Sequence, residues 1–232
     1  MKVSDTAEIR TLPLFRDMDD AQFEVLIRGA YVQTFPPQIE LITEGEPSDF
    51  LHIVVEGTVE LFATWNGHQT TMATVRPLGT FILAATIKDA PNLMSARTLE
   101  RSRLVLLPSE DVRNVFETDS AFARAIVVEL AQCYRMSIKN TKNLKLRSSI
   151  ERLANHLVRK QIEAGGAKSF ELDVEKRRLA SYLGMTAENL SRAIKTLQSY
   201  GVTIDGAMVT ITTPEALLNL AKPMPLIDDP EH

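Results

Sequence analysis

A single cysteine, Cys133, stands in the 232 residues of this chain. That scarcity excludes an internal disulfide framework and any all-cysteine metal or iron–sulfur site held by one chain. No stretch approaches the roughly 20 apolar residues that a membrane-spanning helix needs. The N-terminus, MKVSDTAEIRTLPLF, lacks the apolar run and small-residue cleavage site of a secretory signal. A cytoplasmic protein without a membrane partner is expected. The patterns that organise common catalytic sites are also missing: there is no G-x-S-x-G, no G-x-x-x-x-G-K-[ST], no H-E-x-x-H and no C-x-x-C. No enzyme is expected.

What is there fits two modest domains, each with its own core. Hydrophobic residues make up 44% of the chain and charged residues 24%, the balance of an ordinary globular protein. The net charge of −4 is unevenly spread. Residues 1–140 carry 13 Lys and Arg against 19 Asp and Glu, residues 141–200 carry 12 against 6, and the last 32 carry 1 against 5. A basic block inside an acidic chain points to a polyanionic partner for that block.

Residues 7–32 read as short helices, with Leu12, Leu14, Phe15, Phe23, Leu26 and Ile27 as the apolar positions. From Thr34 to about Leu107 the runs LHIVV, TVELFAT, QTTMATV, LMSARTL and RLVLL alternate with turn signals at Gly45, Gly57, Asn66-Gly67 and Gly79. Strands at this spacing suggest an antiparallel sandwich or roll. Asn66-Gly67 is a hairpin signal, because both residues tolerate the positive φ of a type I′ turn. Ser109 is expected to cap a short helix through Phe116.

A helix without Gly or Pro is expected from about Ser120 to Leu146, with Ile126, Leu130, Cys133, Tyr134, Ser137, Ile138 and Thr141 on one face. A helix this long needs a partner surface. Packing on its own β-domain is one solution, and pairing with its copy in a homodimer is the favoured one.

A further helix, IERLANHLVRKQIEA, ends at Gly165-Gly166. Asp173 is then expected to cap a helix whose Leu179, Ala180 and Leu183 face inward; Gly184 makes a short turn, Thr186 caps the next helix, and Tyr200-Gly201 ends it. In this last helix Leu190, Ala193, Ile194 and Leu197 form an apolar stripe. Opposite them, Glu188, Ser191, Arg192 and Lys195 repeat the same offsets as a polar one. Asp205-Gly206 turns a small hairpin, a wing. A helix-turn-helix with a wing, in the basic block and with a polar outer stripe, is a specific pattern. The tail AKPMPLIDDPEH is acidic, contains proline and is expected to be loosely ordered.

Over nearly its whole length the sequence resembles the CRP/FNR family of bacterial transcription regulators. The turns at Gly45 (TEGE), Gly57 (VVEG), Gly67 and Gly79 (PLGTF) resemble the glycine turns of the family's sensor roll, and the motif described above follows in the family's order. The resemblance implies an α+β fold with three parts. Residues 1–118 would be an N-terminal antiparallel β-roll that senses an effector, similar to cyclic-nucleotide-binding domains. Residues 119–147 would be a long dimerisation helix, and residues 148–232 a C-terminal winged helix-turn-helix. It also implies a homodimer that binds double-stranded DNA, with RNA polymerase as a further partner.

In the family the second helix of the motif enters the major groove. The FNR-like branch reads TTGAT-type half-sites with a Glu-x-x-Ser-Arg pattern, which stands here as Glu188-Asn189-Leu190-Ser191-Arg192. Arg192 can chelate guanine O6 and N7, Glu188 can accept from cytosine N4, and Ser191 can bond a base edge or a phosphate. The CRP-like branch has an Arg just before this Glu, where this chain has Ala187, so the FNR-type half-site is favoured. Thr186, Lys195 and Arg178, the last within Lys176-Arg177-Arg178, complete the DNA-binding set as capping and phosphate-contacting residues.

For the sensor the resemblance gives negatives. Cyclic-nucleotide-binding members carry a Gly-Glu pair and a later Arg-Ser pair that hold the ribose and the phosphate. Those positions are Leu83-Ala84 and Met94-Ser95 here, so both charged contacts are missing and cyclic AMP is not the expected effector. The cysteine-bound iron–sulfur cluster of FNR is excluded too, since no cysteine precedes Cys133.

What remains is an apolar effector pocket edged by Leu83, Ala84, Met94 and Ser95, with Ser137 and Ile138 of the long helix nearby. The DAPN run, Asp89 to Asn92, resembles the corresponding loop of a nitrogen-oxide-responsive, haem-containing branch, and another relative type binds aromatic acids. The effector is therefore expected to be haem with a diatomic gas or a small organic molecule. His52, in LHIVVEG, is the candidate axial ligand, with His156 and Cys133 behind it. Arg97 or Arg135 is the candidate partner for an aromatic carboxylate. A cyclic-nucleotide-binding-like interaction module without DNA binding is the alternative, and it leaves the Glu-x-x-Ser-Arg stripe unexplained.

Overall fold

The computed structural model describes residues 3–172 and 175–229. Two compact units, residues 1–133 and 134–232, share the chain, and the division falls inside one long helix.

The first unit starts with helices α1 (Val3–Arg10) and α2 (Asp20–Arg28). Asp19 caps α2, its carboxylate accepting from the amides of Ala21 and Gln22. Six strands follow: β1 (Tyr31–Phe35), β2 (Glu40–Ile42), β3 (Phe50–Glu56), β4 (Val59–Trp65), β5 (His68–Val75) and β6 (Thr80–Phe81). Helix α3 (Leu83–Lys88), strands β7 (Ser95–Thr98) and β8 (Ser102–Pro108), and helix α4 (Ser109–Thr118) complete the series. The strands pair antiparallel in two four-stranded sheets, ordered β1-β8-β3-β6 and β2-β7-β4-β5.

Side-chain alternation explains how this sheet pair is filled. Val54 and Leu104 point between the sheets, where they meet Val59, Leu61, Phe81 and Ala96. Their neighbours Leu51, Ile53, Val105 and Leu107 point the other way, into a second core with Phe15, Leu26, Val112 and Val115. The β3/β8 pair is thus buried on both faces, and its sequences read as nearly unbroken apolar runs. Strands β1 and β2 have no buried residue and β6 is only two residues long, so none of them carries an apolar run or an alternation that marks a strand.

At Asn66-Gly67 both residues take positive φ, 48° and 76°, as a type I′ hairpin requires. Gly57 combines φ +84° with a Cβ position only 2.6 Å from the Arg101 carbonyl oxygen, so both backbone freedom and space are needed there. Gly79 differs from expectation. The left-handed residue in that turn is Leu78 (φ 73°), and Gly79 supplies room instead, since a Cβ would lie 2.7 Å from Val75 Cγ1. Ser109 differs as well: it is the first residue of α4, its hydroxyl makes no capping bond, and Pro108 holds the cap position.

Helix α5 (Ser120–Leu146) has 27 residues, close to the expected bounds. The buried Asp119 accepts at one oxygen from the amides of Ala121 and Phe122 and starts it. Phe122 and Ile126 pack into the first unit's core, with Leu130 against it. Cys133, Tyr134, Ser137, Ile138 and Thr141 are exposed. The expected single face is therefore two: an N-terminal stretch committed to its own unit, and a later uncovered stripe.

The second unit continues with α6 (Ser149–Glu163), β9 (Ser169–Glu171), α7 (Lys176–Tyr182), α8 (Ala187–Leu197), β10 (Val202–Asp205), β11 (Met208–Ile211), α9 (Pro214–Ala221) and α10 (Pro225–Asp228). Ser148 and Glu151 form a reciprocal capping box at the start of α6. Strands β10, β11 and β9 form a three-stranded sheet in that order. Leu153, Leu157, Leu179, Leu190, Leu197, Val209 and Leu217 fill the core. The expected cap Asp173 lies outside the described residues; Glu175 holds the cap position of α7 and makes no side-chain capping bond. The wing turns at Gly206-Ala207, one residue later than expected. The described part of the tail is more ordered than its composition suggests, because Pro225–Asp228 forms α10 and Asp228 is ion-paired with Arg147.

Candidate nucleic-acid interface and sensor interior

Helix α8 gets its orientation from burial. Leu190, Ala193 and Leu197 are buried and Ile194 packs beside them, so Glu188, Ser191, Arg192 and Lys195, on the opposite stripe, are exposed. Thr186 caps the helix, its hydroxyl accepting from the Asn189 amide at 3.2 Å. Gly184, at φ +62°, makes the turn that leads into it. Glu188 falls in the first turn, where its charge also complements the helix dipole. Arg178 is half-buried on α7, while Lys176 and Arg177 beside it are exposed.

The polar stripe is internally organised. Arg192 Nη1 lies 3.2 Å from Glu188 Oε1, and Arg192 Nη2 donates to Asn189 Oδ1 at 2.6 Å. Each terminal nitrogen carries two protons, so one of each stays available for a bidentate acceptor such as a guanine edge. The Ser191 hydroxyl donates to the Ala187 carbonyl at 2.9 Å, which leaves its oxygen lone pairs for an outside donor.

Asn189 is a functional candidate that the Glu-x-x-Ser-Arg pattern passes over, although its spacing of three from Arg192 was readable. Arg152 is another. Its buried guanidinium donates from Nε to the Leu183 carbonyl at 2.8 Å and from Nη2 to the Gly184 carbonyl at 3.2 Å, so it fixes the turn ahead of α8. No sequence signal marks it out from an ordinary arginine on an amphipathic helix.

In the first unit, Leu83 and Ala84 open helix α3, Leu83 in the helix-side core and Ala84 exposed. Met94 packs instead against the inter-sheet core. Leu83 and Met94 thus belong to separate clusters. The Ser95 hydroxyl accepts from the Glu44 amide at 2.9 Å. Ser137 and Ile138 stand exposed on the part of α5 that belongs to the second unit.

Cross-strand pairing places Ser95 opposite Phe62 and Arg97 opposite Glu60, on the face turned away from Leu61 and Ala96. That face carries an open cleft of about 590 Å³, lined among others by Glu40, Glu44, Phe62, Ser95 and Arg97. Arg97 is already engaged there. Its Nε and Nη2 lie 2.7 and 2.6 Å from Glu60 Oε2, and its guanidinium stacks 4.5 Å from the Phe62 ring centre. Glu60, 2% exposed, also accepts from Thr71. The buried carboxylate consumes the charge that Arg97 would offer an aromatic acid.

His52 is 4% exposed and its ring stacks on Phe81 at 4.8 Å. Nδ1 has no hydrogen-bond partner, and burial pushes the imidazole pKa down to about 4. A neutral imidazole suits metal ligation. The place does not suit a haem: the ring is packed on an aromatic neighbour, and His52 is not among the residues that line the cleft above. His156 is buried in the second unit with its ring edge-on to Tyr182. Cys133 is exposed, and partial burial with the nearby Glu129 charge raises its thiol pKa. Among the described residues no group of three or more His, Cys, Asp or Glu is placed to hold a metal, and no helix is long and apolar enough to cross a membrane.

Known proteins share this arrangement. Residues 32–119 match the cyclic nucleotide-binding domain family, and residues 151–220 match the Crp-like helix-turn-helix domain family. The CRP-like cAMP-activated global transcriptional regulator of Mycobacterium tuberculosis is 22% identical over 215 residues, covering 90% of this chain and 96% of that protein. The structure of FixK2 from Bradyrhizobium japonicum superposes with a TM-score of 0.67 at 22% identity, over 82% of this chain and 96% of that one. A CRP/FNR-family regulator from Eubacterium rectale gives a TM-score of 0.75 at 15% identity, over 91% and 98% of the two chains. With a cyclic-nucleotide-binding-type domain, a long helix and a Crp-like helix-turn-helix domain in that order, the chain belongs to the CRP/FNR family of transcription regulators.

Proposed function

We propose that this protein is a homodimeric DNA-binding regulator that reads TTGAT-type half-sites through α8 and answers to a small organic effector other than a cyclic nucleotide. The observation that carries the DNA reading is the Glu188–Ser191–Arg192 stripe, exposed on a capped helix whose other face is buried. Lys195, Lys176, Arg177 and Arg178 add phosphate contacts, which set affinity and salt dependence rather than sequence choice.

For the effector, Leu83-Ala84 and Met94-Ser95 offer neither the carboxylate nor the guanidinium that a cyclic nucleotide needs. An unneutralised phosphate in such surroundings is strongly disfavoured. The misfit of a haem at His52 favours the organic molecule over the gas-sensing cofactor. Dimerisation is supported by the exposed apolar residues of α5, Val127, Tyr134 and Ile138 among them.

The test is binding to a duplex with TTGAT and ATCAA half-sites against a scrambled duplex of equal length. Preference for the first is expected. Arg192→Ala is expected to cost about 1–3 kcal/mol and to relax choice at the guanine. Equal weakening on both duplexes would reduce Arg192 to a phosphate contact and remove the half-site assignment.

A further inference from the structure

Helices α5 and α6 are separated by Arg147 and Ser148 alone, and three sets of contacts converge on this junction. The Arg147 guanidinium, with its side chain 9% exposed, makes a two-pronged bond to Asp228: Nη1 to Oδ1 at 2.7 Å and Nη2 to Oδ2 at 2.6 Å. Asp228 Oδ2 also accepts from the Met224 amide at 2.7 Å, so the short tail helix α10 is folded around the carboxylate that grips Arg147. One helical turn before Asn143, which Arg147 also reaches at 3.1 Å, Lys139 Nζ donates to the Asp229 carbonyl at 2.6 Å. The tail is therefore fixed to both α5 and the junction.

The third set leads towards α8. The Arg147 carbonyl accepts from Arg152 Nη1 at 2.7 Å. The same guanidinium holds the carbonyls of Leu183 and Gly184, the two residues at the turn of the helix-turn-helix. Leu144 touches that turn as well, since a Cβ on Gly184 would lie 2.5 Å from Leu144 Cδ2. An unbroken chain of bonds thus runs Asp228–Arg147–Arg152–Leu183/Gly184.

An exposed ion pair contributes little, but this one is bidentate, mostly buried and shares its carboxylate with a backbone amide, which is the stronger class. Burial alone would raise the Asp228 pKa; the bonds from Arg147 and the Met224 amide outweigh it and hold the carboxyl below its usual range. The pair is charged at neutral pH.

We propose that the segment Met224–Asp229 is a clamp on the α5–α6 junction that positions the recognition helix, through Asp228 and Arg147 as positioning residues that touch no DNA. This rests on the reading of α8 as the DNA-contacting element.

The experiment uses the full chain, Asp228→Asn, a chain ending at Lys222, and the charge swap Arg147→Asp with Asp228→Arg. Two quantities are read: amide hydrogen exchange over residues 147–152 and 181–185, and affinity for the paired-half-site and scrambled duplexes. Asp228→Asn and the shortened chain are expected to exchange faster in both segments. They should lose roughly 2- to 30-fold in affinity for the paired half-sites with scrambled binding unchanged, and the swap should recover both. Exchange at the wild-type level in both altered proteins would overturn the clamp. Faster exchange with an unchanged ratio of specific to scrambled binding would overturn the positioning role. Should the wild-type protein show no half-site preference, the half-site reading fails by itself. Exchange in the turn before α8 then decides the clamp alone, a rise supporting it and no rise overturning it.

Discussion

At the scale of single residues, the two groups that matter most are held in opposite ways. Arg192 stands in solvent with Nη1 near Glu188 and Nη2 on Asn189, so on the proposed reading its fork would be oriented before DNA arrives. Orientation of this kind lowers the entropy lost on binding, and it makes Asn189 a support for Arg192 rather than a bystander. His52 is the reverse, a neutral imidazole with one unpartnered nitrogen inside an apolar sheet.

Burial depresses its pKa from 6.5 to about 4, against a smaller upward pull from a backbone bond at Phe50. The unfolded chain takes up a proton near pH 6.5 and the folded one only near 4. The stability linked to neutral His52 is therefore fully present above about pH 6.5 and is lost as the pH falls through about 4. His52→Phe, which keeps a ring against Phe81, is expected to flatten this slope. Relative to the wild-type protein it should gain about 2 kcal/mol between pH 7 and pH 5, measured by denaturant unfolding at both values. Parallel pH dependence in the two proteins would mean that His52 is solvated enough to protonate in the folded state.

At the scale of elements, the turn before α8 combines two constraints at one residue. Gly184 has φ +62°, and a Cβ there would lie 2.5 Å from Leu144 Cδ2, so that side chain would have to shift. Gly184→Ala is expected to destabilise the second unit by about 1–3 kcal/mol. Adding Leu144→Ala should return the steric part and leave the backbone part, which urea unfolding of the single and double variants separates. This turn was legible because glycine, a following cap at Thr186 and an apolar stripe are all local signals. Helix α5 was legible for the same reason, having neither Gly nor Pro between its ends. What escaped notice depends on distant partners. Strand β2 is three residues long and is defined by pairing with β7. Helix α3 begins after Ile82 in a left-handed conformation that no residue type announces. The order of the tail comes from Arg147 and Lys139, more than 80 positions away in sequence.

At the scale of the whole molecule, the proposed dimer would be built on the uncovered stripe of α5. Val127, Ala131, Tyr134, Ile138 and Thr141 are all exposed and follow spacings of four, three, four and three, the 3.5-residue period of a two-helix seam. Lys145 continues the spacing with a charge, so the seam weakens towards the second unit. Two copies paired in this way would present two α8 helices to half-sites about one DNA turn apart, and the second contact would be made at high effective concentration.

Ile138→Glu places a charge in the middle of the stripe. It is expected to convert a sedimenting dimer into a monomer and to weaken binding to the paired-half-site duplex by about 10²-fold or more. Binding to a duplex with one half-site should stay as it was, because the stripe touches no base. Arg192→Ala should do the reverse, lowering single-site binding while leaving the dimer intact. A dimer that survives Ile138→Glu would move the subunit contact off this stripe. The geometry that sets half-site spacing would then have to come from another surface.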